Sequence, residues 1–174
     1  LLPFLDVHQL ARGTVLYERG QPMKAVWFPV TGVASLITED KMGKGVEVAT
    51  IGFESMVGAL TLLDMGPSMH KVLYQVPGMA LRAPVSKFKQ VLARDLNLSR
   101  ALGRCVQALI GQMSQTAACN RLHLLEERCA RWLLETHDRA KSDKFELTHD
   151  YLAVMLGVRR ASVSDVAFDL QSKD

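Results

Sequence analysis

Between Phe145 and Gln171 the chain reads FELTHDYLAVMLGVRRASVSDVAFDLQ, an order of residues that few local architectures accept. Thr148 stands where a helix N-cap belongs, its hydroxyl able to accept from the unpaired N–H groups of a first turn. Leu152, Met155 and Leu156 follow on one helical side. Gly157 then falls where a residue of positive φ ends a helix. Val158 fills a corner, and Val163, Val166, Ala167 and Leu170 mark a second buried stripe. Arg159, Arg160, Ala161 and Ser162 lie between the stripes, with Ser164 early on the second helix. The expected unit is helix, glycine turn, then a helix with a polar, arginine-bearing start. That is the form in which a helix-turn-helix offers a recognition helix to a major groove. A plain helical hairpin with solvated arginines satisfies the same spacing, so the pattern alone leaves both open.

The longer string LTHDYLAVMLGVRRASVSD resembles the helix-turn-helix of the Crp/Fnr superfamily of bacterial transcription regulators. A Leu-Thr start, a Leu-Ala-x-x-Leu-Gly-Val core and a Thr/Ser-Val-Ser segment recur there. The resemblance implies DNA-binding roles for Thr148, Arg159, Arg160, Ser162 and Ser164. Arg160 occupies the family's position for an arginine that bridges O6 and N7 of a guanine, a contact contributing about 1–3 kcal/mol of discrimination. Arg159 stands where many members have serine and is better placed for a phosphate. Thr148, Ser162 and Ser164 supply short hydroxyls for phosphates. The best-known members place a glutamate after the base-reading arginine and a second arginine four residues later. Here those positions hold Ala161 and Asp165, so the operator is expected to be a palindrome of different sequence.

A chain of 174 residues is long enough for one large or two small domains with a real core. At 48% hydrophobic and 22% charged it has the composition of an ordinary globular protein. No apolar run reaches the roughly 18 residues of a membrane span, and no membrane partner is expected. The start, LLPFLDVHQL, lacks a basic n-region and a small-residue cleavage site, so a secretory signal is not expected. It also lacks a methionine, which suggests that residues precede it in the natural protein. Cys105, Cys119 and Cys129 form neither a C-x-x-C pair nor a disulfide framework and fit helical fillers in a reducing cytoplasm. The net charge of +3 is mild, and Glu146, Asp150, Asp165 and Asp169 offset Arg159 and Arg160. Any DNA affinity is therefore local in origin.

In chain order, residues 1–12 read as a short helix or the remnant of one. Val15, Tyr17, Val26–Phe28, Val33, Leu36, Ile37, Val46, Val48 and Ile51 are β-branched, aromatic or otherwise apolar, and Gly and Pro cut them every few residues. Short strands at that spacing predict an antiparallel jelly roll. Residues 39–45 form a polar, glycine-bearing hairpin tip, and 56–65 a short helix. Lys71–Val76 and Gly78–Ala83 give two further strands, and Ser86–Leu92 a helix. The class is α+β: a β-roll sensing domain at 1–94, a long dimerisation helix at 95–120, and a helix-turn-helix domain at 121–174. The family's two-stranded wing has no sequence here and is expected to be absent or to lie outside this chain.

The first half is similar to the cyclic-nucleotide-binding-like domain of Crp/Fnr regulators, in the turn Tyr17–Pro22, in Val30–Val33 and in Ile51–Glu54. In nucleotide-binding members a glutamate there holds the ribose and an arginine about ten residues on holds the cyclic phosphate. Glu54 is the candidate for the first, although a solvated loop carboxylate explains it equally well. The second has no counterpart, since 55–70 contains neither Arg nor Lys. Cyclic AMP and cyclic GMP are therefore not expected. An iron–sulfur cluster is not expected without cysteines before Cys105, nor haem with His70 as the lone mid-roll histidine. The effector is unknown.

In the long helix, Leu98, Leu102, Cys105 and Leu109 follow four-three-four spacing and are the expected dimer seam, with Val106, Ile110, Met113 and Ala117 as a second stripe. A helix buried wholly in its own domain fits the same residues. From 121 to 139 a further amphipathic helix puts Leu122, Leu125, Cys129, Trp132 and Leu133 inward and Glu126, Glu127, Arg128 and Arg131 outward as a solvated face. The partners implied are double-stranded DNA, a second copy of the chain, RNA polymerase and a small-molecule effector. Two other readings are weighed: a dimeric sensor module that no longer reads DNA, and a cupin-like metalloenzyme. The scattered His8, His70, His123, His137 and His149 do not supply the paired-histidine pattern a cupin centre needs, so the chain is not expected to be an enzyme.

Overall fold

The structure, a computed structural model, describes residues 1–60 and 66–172. After a 3-10 turn at Leu2–Phe4 come seven strands: β1 (Asp6–Leu10), β2 (Val15–Tyr17), β3 (Ala25–Pro29), β4 (Val33–Glu39), β5 (Gly45–Ile51), β6 (Lys71–Val76) and β7 (Gly78–Pro84). Five helices follow: α1 (Val85–Leu92), α2 (Leu96–Leu122), α3 (Leu125–Ala140), α4 (His149–Leu156) and α5 (Arg160–Gln171). The strands form two antiparallel sheets, ordered β1-β7-β3 and β2-β6-β4-β5. Leu36, Ile51, Val72 and Tyr74 fill the interior of the roll together with Leu109 of α2. Antiparallel roll followed by helices is the α+β arrangement expected.

The first twelve residues differ from expectation. They hold β1 instead of a helix, paired with β7 from Asp6↔Arg82 to Leu10↔Gly78. DVHQL alternates in side-chain direction, and only Leu10 is buried. The ladder of a neighbouring strand decides the conformation of so short a segment, which local propensity does not. The hairpin tip is as read: Asp40 Oδ1 accepts from the N–H groups of Met42 and Lys44, tying the turn between β4 and β5. The helix expected at 56–65 falls largely on 61–65, outside the described residues.

Helix α2 starts at an N-cap, Asp95 Oδ1 accepting from Leu98 N at 2.9 Å. Two of the four residues expected at the dimer seam are packed within their own chain. Leu102 and Leu109 are 4% and 8% exposed, packed on the chain's own α1 and roll, and Leu98 and Cys105 are partly covered. Helical spacing fixed which residues share a face, but the larger leucines went to the nearer apolar surface, their own sandwich. A further face carries Gly103, Gln107, Ile110, Ser114, Ala117 and Arg121, all exposed and again at four-three spacing. Helix α2 runs on to Leu122, so α3 begins only at Leu125, and Leu122 lies 76% exposed and not inward. No helix among the described residues is long and apolar enough to cross a membrane.

Candidate nucleic-acid interface

The C-terminal unit is built on one apolar cluster. Cys129 and Trp132 of α3, Leu152, Met155 and Leu156 of α4, and Val163 of α5 meet, and Val163 is wholly buried. Thr148 caps α4, its hydroxyl accepting from Tyr151 N at 3.2 Å. Gly157 closes α4 at φ +67°, a left-handed turn that a side chain would strain. A Cβ there would also meet Val46 Cγ2 at 3.1 Å, so the turn sits directly against β5. Arg128 Nη2 donates to Leu156 O at 2.6 Å, satisfying a carbonyl at the helix end. Arg131 donates to Glu135 and Thr116. Arg128 and Arg131 are thus partly buried ties, not part of the solvated face expected, while Glu127 stays exposed.

Val163 pins α5 so that its start points away from the cluster. Arg159 is the N-cap, in extended backbone, and Arg159, Arg160 and Ala161 are exposed together. The N-terminus of a helix adds its own positive potential to those guanidinium groups. Ser162 is half-buried beside them. Ser164 is already engaged: its Oγ lies 3.0 Å from His149 Nδ1 and donates to Arg160 O at 3.2 Å, bracing α5 against the start of α4. Thr148 is exposed at the start of α4. Arg160 Nε stands 3.4 Å from Asp150 Oδ1, with both side chains about two-thirds solvated. Sequence reading counted Asp150 as background charge and missed this pairing, although its place ten residues before Arg160 across a tight turn allowed it. Along the outer face of α5, Asp165, Phe168 and Asp169 follow, with Phe168 71% exposed.

The unit sits against the roll through β4 and β5. Trp132 Nε1 donates to Glu47 Oε1 at 2.7 Å, and Gln75 Nε2 donates to Thr136 Oγ1 at 3.3 Å. Burial pushes the Glu47 carboxyl up to about 8, against the opposing hydrogen bond from Trp132. Glu54 is paired here as well: Arg139 Nε donates to its Oε1 at 2.8 Å and Gly52 N at 3.2 Å. Glu54 does not line the roll's cavity, so this structure does not present it to a ribose, and it is not a freely solvated loop carboxylate either.

That cavity, about 250 Å³, lies between the roll and α2 and is lined by residues such as Leu36, Met56, His70 and Met113. Among the described residues no arginine or lysine lines it. The residues present therefore do not fit a cyclic phosphate.

Two domain families match the chain: the cyclic nucleotide-binding domain over residues 7–95 and the Crp-like helix-turn-helix domain over residues 127–174. The chain belongs to the Crp/Fnr superfamily. It is a DNA-binding transcription regulator of that type, from a family of regulators and not of enzymes. This Crp/Fnr regulator is 26% identical over 178 residues to the global nitrogen regulator of a Nostoc species, covering 96% of this chain and 79% of the relative. The c-di-GMP-responsive global regulator CLP of Xanthomonas campestris superposes with a TM-score of 0.78 at 15% identity, covering 99% of this chain and 89% of that one. A Crp/Fnr-family transcriptional regulator of Eubacterium rectale gives a TM-score of 0.80 at 12% identity, over 99% and 81%. At such identities these structures establish the fold shared by this Crp/Fnr regulator and say nothing about its ligand.

Proposed function

We propose that the protein acts as a homodimer, in which two α5 helices read a palindromic operator and an effector held in the roll biases their geometry. The observation that carries this reading is the exposed pair Arg159–Arg160 at the start of α5, on a helix locked from behind by Val163. Arg160 is assigned to a guanine and Arg159 to a phosphate; Thr148 and Ser162 add phosphate contacts. Ser164 positions α5 and leaves little hydrogen-bonding capacity for DNA.

The second copy packs on the exposed face of α2 at Gly103, Gln107, Ile110, Ser114, Ala117 and Arg121. Small residues there let two helices approach closely, and Ile110, 57% exposed, is an apolar knob at the rim of the roll's cavity. One recognition helix buries little DNA; two at one helical turn combine their binding energies. In this division of labour residues 1–94 sense, 95–120 pair and 121–174 read, with RNA polymerase as the downstream partner and the cytoplasm as the site of action.

Selection of bound sequences from a random duplex pool tests the reading. The expected product is an inverted repeat with half-sites one helical turn apart and two chains per duplex. Enrichment of a single unrepeated site, bound by one chain, contradicts it. The Arg160–Asp150 pair favours one competitor, a dimeric sensor that has lost DNA reading, and that competitor enriches no sequence at all.

A further inference from the structure

The roll's cavity is where the chain departs furthest from what the name of its first domain family implies. Its walls are hydrocarbon and thioether: Leu36 and Ile51 from the sheets, Met56 after β5, and Leu109 and Met113 from α2. The hydroxyls on its wall are engaged elsewhere, Tyr17 donating to Ala25 O and Ser68 to His70 O. His70 is different. It lines the cavity, its Nδ1 lies 3.2 Å from Thr38 Oγ1, and its Nε2 is buried without a partner among the described residues. Burial, reinforced by the nearby Arg19 charge, pushes its pKa below the ordinary histidine value, so the ring stays neutral near pH 7. A neutral imidazole with one nitrogen already oriented offers a single hydrogen bond from the other.

An anion entering this space finds no cation to replace its water. No lysine or arginine is among the described lining residues, and 55–70 contains neither. A desolvated phosphate without a charge partner is strongly disfavoured. An apolar molecule meets the opposite balance. Thioether side chains adapt their shape to irregular hydrocarbon ligands, and Met23, Met56, Met69 and Met113 all line the cavity. A dry cavity of roughly 150 Å³ accepts benzene, so about 250 Å³ suits a bicyclic compound and encloses far less than a porphyrin.

We propose that this cavity binds an uncharged, largely apolar small molecule that makes one hydrogen bond to His70, and that it does not take cyclic nucleotides. The proposal rests on the reading of the roll as the sensing domain and names the ligand class for it. The coupling route is short. Ile110 lines the cavity and also stands on the exposed face of α2, with Leu109 and Met113 beside it on the wall. A ligand that fills the cavity therefore presses on the same helical turn that is proposed to meet the second copy.

The test titrates the full-length protein, without DNA, with 1-naphthol, naphthalene and cyclic AMP. Saturable binding of 1-naphthol is expected, about 2- to 10-fold tighter than naphthalene, the span a single buried hydrogen bond supplies. His70→Phe should erase that preference while both compounds still bind, and Met113→Trp, which fills the space, should weaken both at least about tenfold. In case Met113→Trp does not fold, methyl resonances of Met56 and Met113 in the parent protein should shift on adding 1-naphthol. Tighter binding of cyclic AMP than of 1-naphthol overturns the proposal. So does 1-naphthol binding that ignores His70 and leaves both methyl resonances unmoved, or no binding of either naphthyl compound. Because DNA is absent, failure here leaves the operator reading standing, and loss of operator reading leaves this result intact.

Discussion

Trp132 Nε1 and Glu47 Oε1 lie 2.7 Å apart at the junction of α3 with β5, in a site that leaves Glu47 only 7% exposed. The other carboxylate oxygen, Oε2, is buried with no partner among the described residues. A lone acid held that way is stable chiefly when protonated, and burial raises it from 4.5 to about 8. The folded value exceeds the unfolded one, so this contribution to stability is complete below about pH 4.5 and is lost as pH rises through about 8. The loss should be on the order of a few kcal/mol. Urea denaturation across that window should show stability falling with pH in the parent and much less in Glu47→Gln. Equal slopes in the two proteins contradict the assignment.

The α2 faces make opposite predictions. Ala117→Glu places like charges near a two-fold axis and should shift the protein from dimer to monomer in sedimentation velocity, with thermal stability of the monomer nearly unchanged. Leu102→Ala should instead cost about 2–5 kcal/mol of folding stability, because Leu102 is packed within its own chain. A dimer untouched by Ala117→Glu removes the proposed interface.

Asp150 holds Arg160 in a solvated pair that DNA binding has to break. Such pairs contribute at most about 1 kcal/mol. Asp150→Asn also removes a negative charge next to the phosphates, so operator affinity should rise roughly severalfold, with the gain shrinking at high salt. An unchanged or weaker affinity at low salt argues that Arg160 is directed elsewhere.

Gly157→Ala tests the turn. Its backbone requires φ +67°, which costs an L-residue roughly 1–2 kcal/mol, and the new Cβ presses on Val46 Cγ2 at 3.1 Å. Chemical denaturation should register a loss of at least that size. No loss would mean that the turn adopts another conformation.

The helix-turn-helix was legible because all of its signals are local: the Thr148 cap, the Gly157 stop and the apolar stripe ending in Val163 follow from spacing within single turns. The strands from β2 to β7 were legible in the same way, from β-branched runs cut by glycine and proline. What was not legible depended on partners far along the chain. β1 is a strand only because β7 lies beside it, as Val7↔Leu81 illustrates. Spacing identifies two apolar stripes on α2 but holds nothing to say which faces the chain's own roll, where Leu102 and Leu109 are packed. The partner of Glu54 is Arg139, 85 positions on, which no local pattern around Glu54 reveals. Glu47 left a fainter trace, a carboxylate within the strand-like GVEVATI.

Operator reading depends most on Arg160, and fluorescence anisotropy with the selected operator and a scrambled duplex tests this role most directly. Arg160→Ala should weaken operator binding about 5- to 150-fold, the equivalent of about 1–3 kcal/mol, while binding to the scrambled duplex changes little. If the variant and the parent bind the operator equally well, α5 is not the element that reads DNA.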